Sequence, residues 1–263
     1  MPYLFGNDTY QTPAEARRMP LARLFGWSRF PFYWYVARTV LGGRDVAVRG
    51  GFDSAEFLRR SEAIVRILEG CGGRLNVSGM DQIGAAAGPA VIVGNHMSFL
   101  ETFALPAMVI PRRPVSFVIK QSLLKYPGLG KILQAQAPIA LSRTHAREDL
   151  RVVLEQGVQR LQDGRCLVIF PQSTRRPDFV AAKFSSIGAK VAQRAGCPVI
   201  PVAVRTDFVG FGRLIKDLGP LHPEHEVRFA FGPPIAATEA RRAQEQVVEF
   251  ITSRLTSWGV SCS

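Results

Sequence analysis

Residues 146–162 place Leu150, Val153, Leu154, Gly157, Val158 and Leu161 on one helical face, stop at Asp163 and Gly164, and lead straight into Cys166, Leu167, Val168, Ile169 and Phe170. A helix that is apolar on one side, followed by a run without polar alternation, describes a strand covered on both faces. The unit recurs. Strand-like runs are read at 74–78, 90–94, 115–120, 138–141, 166–170, 199–205 and 227–231, with helical patterns between several of them. A further helix opens at Asp53, where Glu56 three residues on suggests a capping box, and carries Phe57, Leu58, Ser61, Ile64, Val65 and Leu68 to Gly70. The pattern predicts an α/β fold: a central, mostly parallel sheet flanked by helices, with ligands at the strand C-terminal ends.

The 263 residues, 47% of them hydrophobic and free of polar low-complexity tracts or a fixed repeat, suffice for one sizeable core. Cys71, Cys166, Cys197 and Cys262 lie far apart, and reduced thiols are expected. A net charge of +12 asks for an anionic partner: nucleic acid, an anionic lipid surface or a phosphorylated substrate. No nucleic-acid recognition motif accompanies it, so no nucleic-acid partner is expected. The first twenty residues lack the pattern of a secretory signal. The longest stretch without a charged side chain, 82–100, is broken by Gly84, Gly88, Pro89, Gly94, Asn95 and His96, and makes a poor membrane span. Residues 25–35 hold Phe25, Trp27, Phe30, Phe32, Tyr33, Trp34 and Tyr35 among Arg17, Arg18, Arg23, Arg29 and Arg38. This composition suits a membrane interface; the plainer reading is an aromatic helix packed on the core.

Two strand ends carry candidate chemistry. After 90–94 come Asn95, His96, Met97, Ser98, Phe99, Leu100 and Glu101. Residues five apart stand about 140° apart on a helix, so His96 and Glu101 meet only if His96 stays in the turn and Glu101 reaches back from the first helical turns. That contact would fix the imidazole tautomer and leave one ring nitrogen to take a proton from an alcohol, a general base without a protein nucleophile. A structural His–carboxylate pair has the same spelling. After 166–170 come Pro171, Gln172, Ser173, Thr174, Arg175 and Arg176. Arg175, Thr174 and backbone N–H groups there can bind a phosphate, or form an ordinary turn, and Lys183 follows near a helix start. Between the two, 102–147 hold Arg112, Arg113, Lys120, Lys125, Lys131, Arg143 and Arg147 but no carboxylate. Such a positive wall would attract a phosphorylated substrate, or solvate a face near a membrane. His222 and His225 flank Pro223 without a third ligand, and no metal site is expected.

The order of these segments resembles the glycerolipid acyltransferase family typified by bacterial lysophosphatidic acid acyltransferases. Asn95, His96 and Glu101 match its first motif, Asn-His, four residues, then an acid. Lys120, Leu123, Pro127 and Gly130 resemble the second, and Phe170 to Arg175 the third, Phe-Pro-Glu-Gly-Thr-Arg. Pro198, Val199, Ile200 and Pro201 resemble the fourth. Glu101 stands in place of the commoner Asp, Gln172 in place of Glu, and Ser173 in place of Gly.

The resemblance implies transfer of a fatty acyl group from an acyl-CoA or acyl carrier protein thioester to a lysophospholipid hydroxyl, 1-acyl-glycerol-3-phosphate giving phosphatidic acid, with no cofactor and no metal. His96 and Glu101 would be catalytic. Lys120, Gly130, Thr174, Arg175 and Lys183 would bind the acceptor, supported by Asn95, Pro171, Gln172 and Ser173. Phe103, Leu105 and Met108 could line an acyl tunnel or pack in the core. Residues 1–50 would be a membrane-associating segment and 51–263 the acyltransferase domain. Membrane phospholipids would be partners, at the cytoplasmic face, peripherally or monotopically. The Gln172 and Ser173 departures leave open a different lysolipid acceptor, or a non-catalytic protein that holds anionic lipid on the same fold.

Overall fold

The computed structural model describes residues 3–26, 28–172, 174–213 and 215–263; the expectations for Trp27 and Ser173 fall outside them. The strands are β1 (Tyr10–Gln11), β2 (Leu75–Ser78), β3 (Val91–Gly94), β4 (Val115–Lys120), β5 (Ile139–Leu141), β6 (Cys166–Ile169), β7 (Val199–Arg205) and β8 (Val227–Phe231). The helices are α1 (Pro20–Leu24), α2 (Phe30–Val48), α3 (Ser54–Gly70), α4 (Asp81–Ala85), α5 (Leu100–Val109), α6 (Leu129–Ala135), α7 (Ala146–Gln162), α8 (Ile187–Ala195) and α9 (Ala240–Ser257).

The eight strands form one sheet in the order β1-β2-β8-β7-β3-β6-β4-β5. Strands β7, β3, β6, β4 and β5 run parallel, β2 is parallel to β8, and the β1–β2 and β7–β8 pairs are antiparallel. Successive side chains of a strand leave opposite faces, and here both faces are apolar. Ile92 and Val168 join one core with Ile64, Leu68 and Met108 of α3 and α5. Val91, Val93, Leu167 and Ile169 join the other, with Val153, Val191, Val247 and Ile251 of α7, α8 and α9. This is the expected α/β fold.

Some local expectations change in detail. The Asp53 side chain accepts from the Glu56 N–H at 2.8 Å, but the Glu56 carboxylate turns to Arg59 and Arg60, so only the aspartate half of the capping box forms. Leu105 and Met108 point into the core and are fully buried, which removes them from any tunnel lining.

Helix α2 splits its aromatics between two environments. Phe32 is 0% exposed and meets Phe208 edge-on at 5.7 Å, and Phe5 and Val36 join the same core, so these residues of the N-terminal segment share one hydrophobic interior with the sheet. Phe25, Phe30 and Trp34 remain exposed as a connected row, with centroids 5.5 and 6.0 Å apart. The plainer reading, an aromatic packed on the core, therefore holds for Phe32, while Phe25, Phe30 and Trp34 lie outside that core. Among the described residues no helix is long and apolar enough to cross a membrane.

Because Phe32 fills a closed site, Phe32→Ala is expected to lower stability by about 3–5 kcal/mol, measured by denaturant unfolding, whereas Phe30→Ala leaves stability nearly unchanged.

Candidate active site

The C-terminal ends of β3, β6, β4 and β5 lie side by side, and the segments that follow them build the site. After β3, Asn95 is buried and pairs with the backbone of β7. Its Nδ2 donates to the Val204 carbonyl and its Oδ1 accepts from the Val204 N–H, both at 2.8 Å. The turn is thereby stitched to the neighbouring strand end.

His96 Nδ1 and Glu101 Oε1 are 2.7 Å apart. Glu101 sits in the first turn of α5 and reaches back, as the spacing required. The carboxylate has no solvent contact, so its charge depends on donors. Oε1 also accepts from the N–H groups of Met97 at 2.6 Å and Ser98 at 2.9 Å. Oε2 accepts from the Thr206 hydroxyl at 2.6 Å and lies 3.1 Å from the Ser98 hydroxyl. Burial pushes the Glu101 carboxyl up, but the hydrogen bond and charge of His96, with the Thr206 and backbone donors, outweigh it and leave it below the ordinary carboxylate range. An ionised carboxylate only accepts, so Nδ1 of His96 carries the proton and Nε2 is left to meet a substrate.

The segment after β6 clamps the histidine backbone. The His96 N–H donates to Gln172 Oε1 at 2.6 Å, its carbonyl accepts from the Arg176 N–H at 3.0 Å, and its ring stacks on Phe170 at 4.6 Å. Gln172 thus supplies a carbonyl oxygen where a carboxylate oxygen would otherwise accept. Pro171 is half-buried between the stacked Phe170 and this amide.

A cleft of about 690 Å³ opens beside His96, and Lys120, Arg143, Thr174 and Arg175 line it. Lys120 ends β4 and Arg143 follows β5. Arg143 holds a left-handed backbone at φ 59°, unusual for a side chain of this size. The Asp149 carboxylate holds it there, accepting from the Arg143 N–H at 2.7 Å and the Ser142 N–H at 3.0 Å. Sequence reasoning counted Arg143 in the positive wall but did not single it out, and it did not find Thr206.

A narrower chamber of about 140 Å³ continues from His96 between Phe57, Phe103, Phe117, Ile119, Leu129 and Ile132. Phe103 therefore lines a cavity where Leu105 and Met108 do not.

Other expected site residues stand elsewhere. Lys183 is exposed in the short 3₁₀ turn Ala181–Lys183 and lines neither cavity; its charge acts on Asp178. Gly130 is buried in α6, where an added Cβ would lie 2.2 Å from the Leu124 carbonyl oxygen, so it permits helix packing rather than touching the cleft. The positive wall is divided. Arg112 binds the carbonyls of Phe5 and Asn7, and Arg113 that of Ala86, fastening the N-terminal segment and the α4 end instead of facing the cleft.

A family profile described as Acyltransferase matches residues 74–205. A 1-acyl-sn-glycerol-3-phosphate acyltransferase from Pseudomonas aeruginosa is 36% identical over 140 residues, covering 53% of this chain and 52% of that protein. A 1-acyl-sn-glycerol-3-phosphate acyltransferase beta from Homo sapiens is 28% identical over 125 residues, 48% of this chain and 44% of that protein. This chain spans about half the length of the curated relatives it matches. The crystal structure of the 1-acyl-sn-glycerophosphate acyltransferase PlsC from Thermotoga maritima has the same fold, with a TM-score of 0.64 at 17% identity over 89% of this chain and 97% of that one.

Glu101 binds its proton more weakly folded than unfolded, so its contribution to stability is complete above its ordinary value of 4.5 and is lost as pH falls through its lowered folded value. Glu101→Gln is expected to cost about 3 kcal/mol at pH 7, with the gap from wild type narrowing below pH 4.5 in denaturant titrations. A gap that stays constant or widens toward acid would contradict an ionised Glu101.

Proposed function

Because this chain belongs to the acyltransferase family, we propose that it transfers a fatty acyl group from a coenzyme A or acyl carrier protein thioester to the free hydroxyl of 1-acyl-glycerol-3-phosphate, giving phosphatidic acid. The observation that carries this reading is the His96–Glu101 contact, set in a cleft that also holds Lys120, Arg143 and Arg175. Nε2 of His96 takes the proton from the acceptor hydroxyl, and the oxygen attacks the thioester carbonyl carbon. Glu101, already ionised, stabilises the imidazolium that forms. When the tetrahedral intermediate collapses, the C–S bond breaks and the imidazolium returns its proton to the leaving thiolate.

The cations hold the acceptor phosphate, with Thr174 lining the same wall. The chamber behind His96 suits a fatty chain along the wall formed by Phe57, Phe103, Phe117, Ile119, Leu129 and Ile132, while Thr102, Lys120, Gln136 and Arg143 supply the polar part of its lining. Helix α2 brings the cleft to the lipid. Its residues Tyr33, Val36, Ala37 and Val40 line the cleft, the exposed Phe30 and Trp34 lie on the same helix, and the exposed Tyr126 and Leu218 stand at the cleft itself. Peripheral attachment at the cytoplasmic face, by aromatics at headgroup depth and arginines on lipid phosphates, accounts for this arrangement.

His96→Ala is expected to lower turnover of acyl donor and lysophosphatidic acid at least about a thousandfold. Product formation equal to wild type, or no acylated product from wild type with any lysolipid, would reject the proposal. In a separate assay, the double variant Phe30→Ser/Trp34→Ser is expected to reduce partitioning onto anionic vesicles roughly tenfold or more, seen by co-sedimentation.

A further inference from the structure

The segment between β7 and β8 belongs to none of the four sequence blocks, yet it reaches the cleft. It folds back on itself through a bridge between Val209 and Leu221, with the Gly210 N–H donating to Pro220 at 2.9 Å and the His222 N–H to Phe208 at 2.8 Å. Helix α2 fastens its tip. Arg29 donates to the Leu218 carbonyl at 3.0 Å and the Tyr33 hydroxyl to the Gly219 carbonyl at 2.9 Å. Lys216, Asp217 and Leu218 are thereby set against the cleft that holds His96.

Two contacts at this tip fall on the third block. The Asp217 carboxylate forms an ion pair with the Arg175 guanidinium. The Lys216 ammonium lies 3.2 Å from both the Thr174 hydroxyl and the Arg175 carbonyl, and 4.7 Å above the Phe211 ring. A carboxylate and a phosphate present the same chemistry to a guanidinium fork, so the position Asp217 occupies on Arg175 is one a phosphate would take.

We propose that Lys216 and Asp217 are a loop-borne half of the acceptor phosphate site, Lys216 as a further ligand of the phosphate and Asp217 as the internal anion that the phosphate displaces from Arg175. The inference rests on the acceptor reading of the cleft given above. The Asp217 side chain is 43% exposed, and a pair so open to water is weak enough to exchange. The incoming phosphate carries close to two charges and gains Lys120, Arg143 and Lys216 besides Arg175, whereas the carboxylate carries one. Asp217 also keeps Arg175 paired between turnovers, which lowers the hold of the site on any phosphate, including that of the product.

The test uses the purified full chain as wild type, Asp217→Asn, Lys216→Met and Lys216→Arg. Glycerol 3-phosphate binding is followed by calorimetry, and KM for lysophosphatidic acid by acyl transfer from acyl-CoA. Asp217→Asn is expected to tighten glycerol 3-phosphate binding several-fold and lower KM. Lys216→Met is expected to weaken binding roughly tenfold and raise KM, with Lys216→Arg close to wild type. Opposite signs separate this role from a structural one, since a loop that merely loosened would move both variants the same way. Weaker or unchanged binding in Asp217→Asn, unchanged binding in Lys216→Met, or no binding by any of the four proteins overturns the inference. Wild type that shows the expected binding pattern but acylates no lysolipid overturns the proposed function instead.

Discussion

A carboxylate with no water around it survives in ionised form only if the protein surrounds it with donors, and Glu101 draws them from a histidine ring, two backbone N–H groups and two hydroxyls. The donors come from two places the fold must hold, the turn after β3 and the residue that follows β7, and the first turn of α5 presents the carboxylate to them. The same contacts that make the charge tolerable fix where the turn runs, which ring nitrogen of His96 is protonated and which is left over. Here the extra methylene of glutamate is no handicap. From the start of α5 the longer side chain reaches back across the turn and engages His96 with one oxygen and Thr206 with the other.

The sheet order then decides what surrounds the histidine. With β3, β6, β4 and β5 adjacent and parallel, the residues after each strand end at one edge, and Lys120, Arg143 and Arg175 converge although 23 to 55 positions separate them in sequence. The cations at this edge keep local anions, Asp217 on Arg175 and Asp149 of α7 beside Arg143, while the carboxylate nearest His96 is engaged with the imidazole. The cleft therefore combines an imidazole, a set of cations and a largely apolar chamber within one wall. That combination suits a substrate with an alcohol, an anionic head and a fatty tail.

Much of this was legible in the chain. The strands 199–205 and 227–231 and the helix 146–162 were read at their observed ends, because uninterrupted apolar runs and a 3.6-residue period are local signals. The His96–Glu101 contact was legible from spacing and from the requirement that one partner lie in a turn. What stayed hidden depends on distant pairing. Thr206 enters the site only because β7 lies beside β3, and nothing near residue 206 marks it. Arg143 is distinguished from Lys125 or Arg147 by a left-handed backbone that Asp149 holds, not by its residue type. Lys183 read as a neighbour of Arg175 because it is close in sequence, yet the turn at 181–183 carries it away from the cleft. The loss of a carboxylate at Gln172 read as a functional departure, whereas its amide oxygen accepts from the His96 backbone. Leu105 and Met108 could be assigned to core or tunnel only once the face of α5 that meets α3 was seen.

The account depends on which nitrogen of His96 carries the proton. Nitrogen-15 spectroscopy of protein labelled in the imidazole ring reads this directly, with His96→Gln assigning the signal. A protonated Nδ1 and an unprotonated, pyridine-like Nε2 in the neutral ring is the predicted result, with the Nδ1 proton shifted downfield by its bond to Glu101. A neutral ring protonated on Nε2, or an Nδ1 signal unaffected by Glu101→Gln, would contradict it.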